Sequence, residues 1–122
     1  MSDPAVLIKA RLRTDLLTAM RVRAGVEVAV LRALVATFDN AEAVELGEQH
    51  QRYVELKFGD RSAEVPRRRL TEADVESLLA REVSERRDAA VHLREMGQAE
   101  RAARLAAEAE IVARYQTAGG QA

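Results

Sequence analysis

The sequence predicts an all-α fold, an antiparallel bundle of about four helices with a small extended or hairpin arm between the second and third. Three observations predict it. Apolar residues recur at helical spacing in four separate stretches. Helix start and stop signals bracket those stretches. The composition is 48% apolar and 32% charged, with 19 basic against 20 acidic side chains. That mixture suits a soluble domain with ion-paired helix surfaces and argues against disorder. A length of 122 residues allows one domain with a modest core.

The first helix opens at Asp3-Pro4, with Asp3 as the cap and Pro4 at the first helical position. Ile8, Leu12, Leu16 and Ala19-Met20 then recur on one face, and Gly25 marks the break. A second helix follows, with Leu31, Leu34, Val35 and Phe38 at the spacing of a core stripe, and it fades over 40–44. So short a connection sets the two helices antiparallel, as a pair over 4–44.

Across 45–70 the helical pattern gives way to an arm. In "RYVELKFGDRSAEVP" Val54, Leu56 and Phe58 alternate with Glu55 and Lys57, and Gly59-Asp60 follows. Period two ending in a turn pair predicts a hairpin or extended segment, closed by Pro66. Thr71-Glu72-Ala73-Asp74 is a capping-box variant and opens the third helix, which runs to Met96 and stops at Gly97. The fourth carries Ala102, Leu105, Ala109 and Val112 on one side and ends near Tyr115. This second pair spans 71–116, and 117–122 reads as a frayed tail.

The third helix contains an oddity. Its apolar stripe passes through Val75, Leu78, Leu79, Val83, Ala89, Ala90, Leu93 and Met96, and Glu82 and Arg86 fall near the middle of it. The plainer reading is a pair within one helix, acid first, lying in a seam with its tips reaching water. The sharper one is that these side chains meet a polar group of another helix and fix its register.

Several chemistries find no support. Without cysteine there is no thiol catalysis, disulfide or Cys-rich zinc site. His50 and His92 share no carboxylate at ligand spacing and read as surface or boundary residues, so no metal is expected. Ser2, Ser62, Ser77 and Ser84 sit in no strand-turn-helix elbow, and no glycine-rich loop is built to cradle a phosphate. No catalytic residue and no cofactor are expected. The i, i+4 pairs Glu100–Arg104, Arg104–Glu108 and Glu110–Arg114 read as ordinary helix-surface ion pairs.

A formal net charge of −1 removes the global footprint of a dedicated nucleic-acid binder, so no DNA is expected and any RNA binding needs a local basic patch. Arg67, Arg68 and Arg69 are the densest basic cluster, with Arg52, Lys57 and Arg61 nearby. They are the candidate contacts to RNA phosphates, against the plainer reading of a solvated approach to a helix. Charges in every turn of the N-terminal stretch exclude a membrane span or signal peptide there, and the cytoplasm is the expected location.

Two stretches carry a family resemblance. "VLRALVATFDNAE", with Leu31, Arg32, Leu34, Phe38, Asn40 and Glu42, resembles the second-helix signature of the YqeY-like proteins, the GatB/YqeY domain family. "LTEADVESLLAREVSERRDAA" is similar to their third helix, where Glu82, Arg86, Arg87 and Asp88 take the positions of a Glu, an Arg pair and an acid. "EMG" and "EAEIVARY", with Glu108, Val112 and Tyr115, continue it. The resemblance implies a helical N-terminal domain of a family tied to tRNA-dependent, glutamine-dependent amidation, a carbon–nitrogen ligase activity. Two features depart from the family pattern. Gln116-Thr117 stands where a Leu-Pro leads into the family's tRNA-contacting tail, and the 45–70 arm replaces a short connector. The expectation is therefore a non-catalytic interaction or adaptor domain with a protein partner, using Glu82, Arg86, Arg87 and Arg32. RNA or tRNA binding through Arg67–Arg69 is the alternative, and amidotransferase activity of the chain alone comes last.

Overall fold

The computed structural model describes residues 3–56 and 69–117, with side chains over 3–43 and 69–117. Four helices follow one another: α1 (Pro4–Arg21), α2 (Gly25–Leu56), α3 (Glu72–Glu95) and α4 (Ala99–Ala113). The described residues contain no strand. The all-α bundle predicted from periodicity is the fold, and its two helix pairs pack as pairs, α1 on α2 and α3 on α4. Both hairpins are antiparallel. Residues equidistant from each turn meet: Lys9 reaches Asp39 and Glu42 across the first, and Arg86 and Arg87 reach Glu108 and Glu110 across the second.

The caps explain where the helices begin and end. Asp3 accepts from the Ala5 amide at 2.9 Å, with Pro4 needing no amide partner. Thr71 and Asp74 close a reciprocal capping box, with bonds of 2.9 and 3.1 Å. Helices α1 and α3 end in the same way. In α1 the Arg23 amide donates to the Met20 carbonyl and the Ala24 amide to Ala19. In α3 the Gly97 amide donates to Arg94 and the Gln98 amide to Leu93. Each is a Schellman motif around one residue at positive φ, Arg23 at 57° and Gly97 at 77°. The sequence reading put the first break at Gly25. It lies at Val22–Ala24 instead, with Arg23 in the left-handed position, and Gly25 is the first residue of α2.

The arm needs correction. Residues 45–56 continue α2 as helix and are neither extended nor a hairpin strand. The segment is rich in good helix formers, Glu45, Leu46, Glu48, Gln49, Gln51, Arg52, Glu55 and Leu56. Extending a formed helix costs far less than nucleating one. Gly47 costs about 1 kcal/mol, too little to stop it. The period-two signal rested on three residues only, Val54, Leu56 and Phe58. The remainder of the predicted arm, 57–68, lies outside the described residues.

One core joins the two hairpins. Leu12, Leu31, Leu34, Phe38, Leu70, Leu79 and Val112 are all fully buried in it. The predicted stripes supply all of these but Leu70, and Val75, Val83, Ala90, Ala102 and Ala109 of the same stripes are buried as well. Met20 and Met96 do not belong to it. Both stand exposed: Met20 is turned about 100° from the buried Ala19, and Met96 is the cap residue beyond the end of α3. Lys9 takes a core-face position that the reading had not assigned.

Candidate functional site

Three polar constellations organise the interior, and the first answers the oddity in α3. Glu82 and Arg86 are only 13% and 14% exposed, as their place on the stripe predicts. Arg86 Nη1 donates to Glu82 Oε1 at 2.8 Å and to the Glu82 carbonyl at 3.1 Å. Its Nε lies 3.5 Å from Glu108 Oε1 across the α3–α4 seam, close enough for ion pairing but without hydrogen-bond alignment. The pair closes within α3, as the plainer reading has it, and it also meets an acid of another helix. Arg104 lies on the other oxygen of Glu108 at 3.4 Å, so the four side chains form one chain of charges.

The second lies between α1 and α2. Lys9 Nζ donates to Glu42 Oε1 at 2.6 Å and to Asp39 Oδ1 at 3.0 Å. Burial pulls the ammonium pKa down, but the hydrogen bonds to Glu42 and Asp39 outweigh it and leave it above the ordinary 10.5. An amine that keeps its proton at neutral pH and is held by two acids acts as a structural clamp and not as a nucleophile. The sequence held a signal for it: Lys9 falls in register with Ala5, Leu12, Leu16 and Ala19.

The third joins the hairpins. The Tyr115 hydroxyl donates to Asp15 Oδ2 at 2.5 Å, and the Arg11 guanidinium lies 4.5 Å from the centre of the Tyr115 ring. Burial and the bond to Asp15 raise the phenol well above its ordinary value, and Arg11 opposes them in part. Beside this group opens a cleft of about 490 Å³, lined by Leu7, Ile8, Val75, Arg11, Glu72 and Glu76 among others. No local pattern could have shown it, because Asp15 and Tyr115 stand 100 positions apart.

Other predicted residues are surface residues. Arg87 pairs with Glu110 at 3.4 Å, both largely exposed. Arg69 is 83% exposed and lies 3.4 Å from Asp3, while Arg67 and Arg68 fall outside the described residues. Arg32 is exposed on α2, and His92 is exposed as expected. Of the predicted surface pairs Arg104–Glu108 forms, whereas Arg114 reaches across to Glu27 at 3.3 Å and leaves Glu110 to Arg87. Among the described residues no group of three or more His, Asp or Glu is placed to hold a metal ion. Among them, too, no helix is long and apolar enough to cross a membrane.

The outer face of the α1–α2 hairpin has a different character. Val6, Leu17 and Met20 are 58%, 57% and 46% exposed. With Ala10 and Arg13 they form a second row along α1, each member one residue past a member of the Lys9 row and so turned from it by about 100°. The neighbouring outward face of α2 is Ala29, Arg32, Ala36 and Ala43, all exposed. The chain matches no family model, no curated protein and no solved structure.

Proposed function

We propose that the chain is a non-catalytic helical interaction domain, an adaptor that offers the outer face of the α1–α2 hairpin to a protein partner. One observation carries this reading. Val6, Leu17 and Met20 form an apolar row open to water, while Leu12 and Ala19 of the same helix fill the core. A helix apolar on two sides has one side more than its own bundle covers. The polar interior supports the same reading, since Glu82, Arg86, Glu108, Lys9, Asp39 and Glu42 hold helices together. The YqeY-like pattern of the sequence supplies the setting, a cytoplasmic partner associated with tRNA-dependent amidation.

RNA binding is the second reading, and the 83% exposure of Arg69 beside Arg67 and Arg68 in sequence favours it. Salt separates the two, because phosphate contacts weaken steeply as counterions are added. The test is co-purification of the whole chain and of its Leu17→Glu variant, washed at low and high salt, with proteins identified and nucleic acid sequenced. The interaction reading expects proteins that survive high salt and are lost with Leu17→Glu. Retention of RNA alone, lost at high salt and indifferent to Leu17→Glu, overturns it in favour of RNA.

A further inference from the structure

The charges of the α1–α2 hairpin are unevenly satisfied. Its acids over 3–43 are Asp3, Asp15, Glu27, Asp39 and Glu42. Each has a partner: Asp3 caps α1 and lies by Arg69, and Asp15 takes Tyr115. Glu27 takes Arg114, and Asp39 and Glu42 share Lys9. Among its bases, Lys9 is clamped and Arg11 stacks on Tyr115. Arg13, Arg21, Arg23 and Arg32 are all exposed, and none makes an ion pair among the described residues. Over 3–43 the hairpin thus presents four exposed arginines that have no acid partner among the described residues.

Two of these arginines stand within the apolar outer face. Lys9 meets Asp39 and Glu42, so one turn further along α1 brings Arg13 level with the stretch of α2 just before Phe38. By the same antiparallel register, Arg32 follows about one turn beyond, near the level of Leu17, and is exposed. Cations and apolar side chains therefore stand at neighbouring levels of the hairpin, with exposed alanines on α2 adding little bulk beside them. We infer that the occupant of this face is an acidic amphipathic helix of another protein. Its apolar side would cover Val6, Leu17 and Met20, and its Asp and Glu residues would flank that side and meet Arg13 and Arg32.

This inference rests on the interaction reading and names the chemistry of the partner. A second copy of the chain is the poorer fit. A two-fold contact would bring the same arginines of both copies onto one interface, and every acid of the hairpin over 3–43 already has a partner. RNA fits less well too: Phe38 and Tyr115 are both buried, so neither offers a base a stacking surface on this face.

The test is selection of a displayed library of helical peptides on the whole protein. Apolar residues are fixed at i, i+3, i+4 and i+7, and the flanking positions are randomised among Glu, Gln and Lys. Binders should carry Glu over Lys at the flanks, and the best acidic peptide should bind at least tenfold more tightly than its Glu→Lys counterpart by fluorescence anisotropy. Arg13→Glu with Arg32→Glu should reverse that order, and Leu17→Glu should abolish both, with circular dichroism verifying that each variant is folded. Peptides lost with Leu17→Glu but selected without charge preference, or with the same preference on the double arginine variant, overturn the acidic partner and leave the interaction reading standing. No selected peptide overturns both. A wild-type dimer in sedimentation that Leu17→Glu dissociates, or capture by anionic vesicles without peptide binding, also overturns the inference by showing a different occupant.

Discussion

Arg86 sits where a helix would ordinarily bury a leucine, and its cost is met by Glu82 in its own turn and Glu108 on the facing helix. Removing either Arg86 or Glu82 leaves the other charge with poorer solvation than water gives. Breaking a fully buried pair costs about 3–5 kcal/mol, and exposed pairs cost about 1 kcal/mol or less. Side chains that keep a little water should fall between, so Glu82→Leu and Arg86→Met are each expected to cost about 2 kcal/mol. The double change should recover much of that, since an apolar pair needs no countercharge, although Glu108 then keeps only Arg104. Urea melts of the singles and the double, taken as a cycle, measure the coupling. Singles indistinguishable from wild type would show that the charges are wet in solution. Lys9 and Tyr115 yield a second expectation at the same scale. Both hold their protons more tightly when folded than their ordinary values allow. Their stabilisation is therefore complete below the unfolded values, near pH 10, and is lost as pH rises through the folded ones. Unfolding free energy should fall from about pH 10 upward, and Lys9→Met and Tyr115→Phe should each flatten that fall. An unchanged alkaline slope in both variants would contradict the assignment. The Glu82–Arg86 pair was legible because a helical wheel places it on the stripe. Lys9 was equally legible by the same wheel. Asp15 and Tyr115 were not, because their meeting depends on how two hairpins dock.

The two Schellman ends of α1 and α3 make a natural comparison between elements. Each requires a left-handed residue, and Gly97 supplies one without strain, whereas Arg23 holds a side chain there. That conformation costs an L-residue about 1–2 kcal/mol, offset in part by the greater freedom a glycine loses on folding. Arg23→Gly should therefore stabilise by about 0.5–1 kcal/mol. Gly97→Ala should destabilise by about 1 kcal/mol through the backbone alone, because an added methyl would meet nothing within 4 Å. Thermal melts of both variants test the pair, and a loss in Arg23→Gly would place a stabilising role on the arginine side chain. Gly25 drew the sequence reading because glycine is the usual signal for a helix end, and here the signal lay two residues past the residue that turns. The extension of α2 through 45–56 was misread for a related reason. A short alternation was set against propensity summed over twelve positions, and propagation from an existing helix favoured the sum.

At the scale of the molecule, the α1–α2 and α3–α4 hairpins are each local in sequence, and a bundle of this kind could unfold as two units. Its core argues otherwise. Leu12 and Phe38 of one hairpin lie in the same buried cluster as Leu79, Val112 and Tyr115 of the other. Tyr115 is the clearest tie, since its ring is buried in that cluster while its hydroxyl is held by Asp15 on α1. Arg114–Glu27 and Arg69–Asp3 add exposed links of little energy. Truncating a buried ring of this kind costs about 3–5 kcal/mol, a large part of the roughly 5–15 kcal/mol a small domain holds. Native-state hydrogen exchange can locate the loss. If the chain is one cooperative unit, the slowest amides of α1 and α3 share one opening free energy, and Tyr115→Ala lowers both by the same amount. If the hairpins were separable, protection would fall in α3 and α4 and stay unchanged in the α1 amides around Leu12. The shared cluster predicts the first result, because no boundary in it divides the side chains of one hairpin from those of the other.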